Sequence, residues 1–137
     1  MRYKRKKLVA DVSKCVLKFL LGPFTKLSVK FVRTNAQDYL MMLELVEGRA
    51  DAFIFYISTL SDALSKTEFI EAVAHECVHI CQYYTGDLQD LSDNIAWFRG
   101  TEFNYTGLDD IYYYFSPWEV EARGMEEALL YLYREEI

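Results

Sequence analysis

The chain opens with a helical pattern. In residues 5–21, Leu8, Val9, Val12, Cys15, Val16, Phe19 and Leu20 recur at three- and four-residue steps, which places them on one face of an α-helix. Lys7, Asp11, Lys14 and Lys18 take the other face, and Gly22-Pro23 ends the element. The pattern then alternates over 25–33, with Leu27, Val29 and Phe31 against Lys26, Ser28 and Lys30, as in a half-buried strand. An apolar run at 39–46, the turn Glu47-Gly48-Arg49 and the β-branched and aromatic run at 52–58 predict a hairpin. Ser65-Lys66-Thr67-Glu68 is a capping-box pattern that starts a helix over 66–84, with Gly86 just past its end. Residues 94–105 predict a small hairpin around Gly100, and Ser116-Pro117 begins a last helix that runs to about 134. The order is helix, three strands, central helix, an irregular stretch and a final helix. That is one α+β domain, 1–137, with a small, mostly antiparallel sheet.

Composition supports a folded domain. Of 137 residues, 52% are apolar and 16% aromatic, with six Gly and two Pro. Disordered, collagen-like and linker-rich chains are excluded. No apolar run approaches the length of a membrane span. The start, MRYKRKK, looks like the charged part of a signal peptide, but the segment after it carries Asp11, Lys14 and Lys18 and no small-residue cleavage site. The three cysteines, 15, 77 and 81, are an odd number without a disulfide-framework spacing. Both features lead to the expectation of a cytoplasmic protein.

Charge is unevenly placed. Residues 1–33 carry a net +9 and residues 34–137 a net −15. Residues 1–7 are set apart as a basic start that could be mobile. A solvated lysine-rich helix face accounts for the basic head more readily than contact with nucleic acid or an anionic membrane. The acidic body favours basic or neutral partners.

The chemistry is concentrated in His75-Glu76-Cys77-Val78-His79. The chain has two histidines, and chance would give this arrangement on the order of once in a thousand. Residues i and i+4 of a helix lie about 40° apart and one turn up, so both imidazoles can reach one ion at about 2.0–2.1 Å. Glu76 is rotated off that line, where it can act as general base on a water beside the ion rather than as a ligand. Cys77 and Cys81, offset by about 160° from the His pair, are expected to face the core. A hydrolytic zinc site needs a third ligand and an open position. With no third His, the candidates are cysteines and carboxylates, foremost Glu119 and Glu121 at the start of the last helix. Ser116-x-x-Glu119 also has the form of a capping box, which competes for the same carboxylate.

His75-Glu76-Cys77-Val78-His79-Ile80-Cys81-Gln82 followed by Trp118-Glu119-Val120-Glu121-Ala122 resembles the gluzincin metallopeptidases, in particular the small minigluzincins and phage-encoded metallopeptidases. The resemblance covers about residues 65–135. It implies a zincin-like fold in which the C-terminal helix supplies the third ligand. In those relatives the ligand is the Glu three residues before the Ala, which here would be Glu119. Relatives often carry Asp or Asn four residues after that ligand, to orient a zinc-bound His. Here Arg123 stands there, so the support must come from elsewhere. Peptide deformylases share the His-Glu motif with a Cys ligand, but the surroundings of Cys15 do not match theirs. The resemblance further implies that strand 52–58 is the sheet edge where an extended peptide pairs.

The expectation is therefore a zinc metalloendopeptidase acting on a protein or peptide substrate. One Zn2+ is held by His75, His79 and Glu119, Glu76 is the base, and Gln82 and Trp118 shape the surroundings. Tyr105, Tyr112, Tyr113 or Tyr114 would be available to stabilise the oxyanion. The alternative is a non-catalytic, zinc-stabilised interaction protein whose basic head (Arg2, Lys4, Arg5, Lys6 and Lys7) binds nucleic acid or a partner protein.

Overall fold

The structure is a computed structural model that describes residues 2–23 and 25–136, with side chains described for 5–23 and 25–135. The helices are α1 (Arg2–Leu21), α2 (Lys66–Tyr84), α3 (Asp110–Tyr114) and α4 (Pro117–Glu136). The strands are β1 (Ser28–Thr34), β2 (Met41–Leu45), β3 (Ala52–Ser58), β4 (Leu88–Ser92), β5 (Ile95–Phe98) and β6 (Thr101–Asn104). The result is a small α+β domain with four helices and two three-stranded sheets.

Helix α2 is the axis of the fold, and its start follows from local chemistry. The Glu68 N–H donates to Ser65 Oγ at 3.1 Å, and the Ser65 N–H donates to Glu68 Oε1 at 2.9 Å. This reciprocal cap satisfies two amides that the first turn would otherwise leave open. Phe69, Ile70, Val73, Ala74, Cys77, Val78 and Ile80 are buried along α2. They meet Val9, Val12 and Val16 of α1, Ala122, Leu129 and Leu130 of α4, and Phe53, Phe55 and Ile57 of β3 in one core. Full burial of such side chains contributes about 1.5–3 kcal/mol each, so this core holds the site's scaffold in place.

The first sheet has the order β1-β3-β2, with β1 parallel and β2 antiparallel to β3. Val29 lies beside Phe53 and Phe31 beside Phe55, while Leu43 and Met41 flank Phe55 and Ile57 from the other side. The period of two therefore puts one face of all three strands on the helices. Strand β3 is central, not the edge expected from the resemblance. Its inward residues are buried and its neighbours occupy both sides; the edges are β1 and β2.

The second sheet is an antiparallel meander, β4-β5-β6. Its β5–β6 turn has φ of 46° at Arg99 and 91° at Gly100, the left-handed pair that a two-residue hairpin requires. Leu88, Ala96 and Phe98 close on Trp118 of α4 to form a second, smaller core.

Several expectations need correction. Helical structure begins at Arg2 rather than 5. Residue 1 lies outside the described residues, as do the side chains of residues 2–4; residues 2–7 of the basic start are helical, within α1. Arg5 donates to the Ser61 and Leu64 carbonyls at 3.0 and 2.6 Å and lies over the Phe69 ring. Phe19, counted with the apolar face, is 63% exposed, because the last turn of α1 borders an open groove beside Leu132 and Tyr133. Three of the four strand pairings are antiparallel, in two sheets rather than one. The irregular stretch contains β4 and α3. No helix among the described residues is long and apolar enough to cross a membrane.

Candidate metal centre

Two helices bring the site together. On α2, His75 and His79 sit one turn apart with ring centroids 4.8 Å apart and planes nearly perpendicular. Their Nε2 atoms approach to 3.1 Å. Glu119, in the first turn of α4, places Oε1 3.1 Å from His75 Nε2 and Oε2 2.9 Å from His79 Nε2. Three donor groups thus lie 2.9–3.1 Å from one another. A tetrahedral ion with bonds of about 2.0–2.1 Å has ligand–ligand edges of about 3.3 Å.

The far side of each imidazole is fixed. His75 Nδ1 is 2.6 Å from Glu126 Oε1. A carboxylate only accepts, so Nδ1 carries a hydrogen, which leaves Nε2 as the nitrogen free to lose its own. His79 Nδ1 is 2.7 Å from Gln82 Oε1. The Gln82 amide nitrogen donates to the Trp118 carbonyl at 3.1 Å and to Glu121 Oε1 at 3.0 Å, so its oxygen must face His79. Both rings therefore turn Nε2 towards the same point, where each meets the Glu119 carboxylate as a donor and, once deprotonated, would present a lone pair, the arrangement found where a second layer of hydrogen bonds orients metal ligands.

His75, Glu76 and His79 form a group able to hold a metal ion, each offering a ligand atom within 4.8 Å of the others. Of the three carboxylates near the imidazoles, Glu76, Glu119 and Glu126, Glu119 is the one in contact with both Nε2 atoms. Glu76 is half-buried beside them. Burial pushes its carboxyl above the ordinary value, against the opposing pull of His79 and His75. That is the direction suited to a group that takes and returns a proton. Burial also disfavours charge on Glu119, but hydrogen bonds from His75 and His79 outweigh it and hold its carboxyl down to about 2. Burial lowers both imidazoles, yet the Glu119 hydrogen bonds and neighbouring carboxylates raise them on balance. The cradle attracts positive charge.

Glu121 is turned away from this point. It accepts from Gln82, and its other oxygen pairs with Arg99 at 2.7 Å. The capping box at Ser116 is not formed: the Ser116 N–H donates to the Tyr113 carbonyl, and Glu119 faces the imidazoles. Arg123 lies over the Tyr114 ring and donates to the Tyr114 carbonyl. The orienting acid that sequence reasoning did not find is Glu126. It is seven residues from Glu119, which on a helix leaves it about 20° off the same line; a search two turns along, and not one, is the signal that finds it. Cys77 is buried, Cys81 is half-buried, and burial pushes both thiols up to about 12, as befits packing residues.

A cleft of about 260 Å³ lies over the group, lined by Met41, Met42 and Leu43 of β2 and by Tyr83 and Tyr113. Of the four tyrosines singled out in the sequence, Tyr113 is the one that reaches this cleft. Burial pushes its phenol up to about 12, with Glu119 adding to the effect. Tyr105 packs on Trp118, while Tyr112 and Tyr114, about as exposed as Tyr113, do not line the cleft. Comparison of the chain with protein-family models, with curated proteins and with solved structures finds no match.

Proposed function

We propose that this protein is a zinc-dependent endopeptidase of the gluzincin type. The observation that carries the reading is the meeting of His75 Nε2, His79 Nε2 and the Glu119 carboxylate at 2.9–3.1 Å, with Glu126 and Gln82 locking the tautomers behind them. Two imidazoles and a carboxylate suit zinc among divalent ions, and these three residues would hold it. When bound, zinc would supply a Lewis acid that makes water a nucleophile near neutral pH and polarises a peptide carbonyl.

The remaining roles belong to the chain. Glu76 takes the proton of the attacking water and returns it to the departing amine. Tyr113, at the cleft wall, is the phenol available to donate to the developing oxyanion. Strand β2 pairs with β3 on one side only, so its outer edge beside the cleft offers main-chain hydrogen bonds to an extended peptide.

The test combines metal content with turnover. Purified protein should contain one zinc per chain, retained in Glu76→Gln and Glu121→Ala and lost in Glu119→Ala. Glu76→Gln should slow cleavage of a peptide library by about 10²–10⁴-fold. Unchanged cleavage would reject Glu76 as the base, and zinc retained in Glu119→Ala would reject the ligand set.

A further inference from the structure

A second cavity, of about 230 Å³, adjoins the cleft and shares Tyr83, Tyr113 and Trp118 with it. Three carboxylates line it, Asp90, Asp109 and Asp110, and no lysine, arginine or histidine among the described residues does. Tyr83 donates to both oxygens of Asp90 at 3.2 Å, which holds that carboxylate in place. Asp109 precedes α3 but its side chain makes no capping bond. Neither Asp109 nor Asp110 has an ion-pair partner among the described residues. The wall between the two spaces is aromatic: Tyr105 and Tyr113 meet edge-on at 5.7 Å, and both meet Trp118, at 5.6 and 6.2 Å. Tyr105 Oη is buried in this lining, beside the Ser116 hydroxyl.

We propose that this cavity is the subsite for a lysine or arginine side chain of the peptide bound in the neighbouring cleft. The inference rests on the peptidase reading and names its substrate class. An alkyl stem can lie along the rings, whose faces attract the cationic head. The unpaired Asp109 and Asp110 then meet that head at the cavity rim, and Tyr105 Oη can accept a hydrogen bond from it. A neutral side chain of equal length would gain the apolar contact but leave the carboxylates and the phenol as they are.

The test uses binding and cleavage separately. Zinc-loaded Glu76→Gln protein is titrated with N-acetyl-arginine amide and with N-acetyl-citrulline amide, following the Trp118 indole resonance. Arginine should bind about five- to tenfold more tightly. Asp109→Asn combined with Asp110→Asn should erase that preference without changing zinc content, and Asp90→Asn should reduce it. Equal binding of the two probes, or a preference that survives the double substitution, overturns the subsite. In the otherwise unaltered enzyme, lysine peptides should be cut about five- to tenfold faster than norleucine peptides, with the double substitution affecting only the former. Cleavage without that preference refutes the subsite alone. A binding preference without any cleavage refutes the peptidase reading and leaves the cationic subsite standing.

Discussion

The two hydrophobic cores differ in what they leave to the surface. The large one buries α2 against α1, α4 and β3, and its valines and phenylalanines are almost wholly enclosed. The small one has four buried residues, Leu88, Ala96, Phe98 and Trp118. Beside it, Leu108, Ile111, Tyr112, Tyr113, Tyr114 and Phe115 are all about half exposed or more. The imidazoles stand on the first, and much of the cleft wall belongs to the second. Trp118 and Glu119, adjacent in sequence, join them: one side chain closes the small core and the next reaches the imidazoles. A precise ligand geometry needs the stiff half, whereas substrate contacts can be carried by the less buried one.

The sharpest way to break this contrast is by truncation. Phe55→Ala in the large core should lower stability by about 3–5 kcal/mol, read as a fall in the denaturation midpoint. Phe98→Ala should cost about 3 kcal/mol or less and should act locally. Hydrogen exchange should speed up in β4–β6 and stay slow in α2. Uniform acceleration across both regions would show a single cooperative unit.

Next in size is the support behind the imidazoles. Glu126→Gln should weaken zinc affinity by about 10–100-fold, measured by chelator competition, with the fold and melting temperature of the metal-free protein little changed. An affinity equal to that of the unaltered protein would leave Glu126 without an orienting role.

The smallest effect is on pH dependence, and it separates metal-free from loaded protein. The Glu119 carboxyl is held from an ordinary 4.5 down to about 2, so its stabilising effect is present above 4.5 and fades as pH falls towards 2. His75 and His79 are raised above 6.5, so theirs is present below 6.5 and fades as pH rises through the raised values. Metal-free protein should be most stable between these limits. Zinc, which requires deprotonated imidazoles, should move the optimum upward. Thermal unfolding across pH, with and without chelator, measures the shift; coincident optima would remove the imidazole–carboxylate cluster as its origin.

Much of this was legible because it is local. The capping box at Ser65, the extent of α2 and the run of β3 follow from neighbouring residues, and the structure reproduces them. The face shared by His75 and His79 follows from helical period alone. Strand order does not: β3 lies between β1 and β2 because of pairings between distant segments, and a buried strand reads the same wherever it sits in a sheet. Strand β4 (LQDLS) has one buried residue, and α3 has none, so neither carries a strong periodic signal. The acidic lining of the second cavity was foreshadowed only by the acidic balance of the body, since its walls come from four separate stretches of chain.

That Glu119 and Glu126 stand two turns apart on one helix has a consequence for assembly. A slip of α4 by a single residue would rotate both carboxylates by about 100°, and neither imidazole would keep its partner. An ion that needs the aligned set would therefore bind only chains whose last helix has seated correctly, and capture of the ion would report that the final packing step is complete.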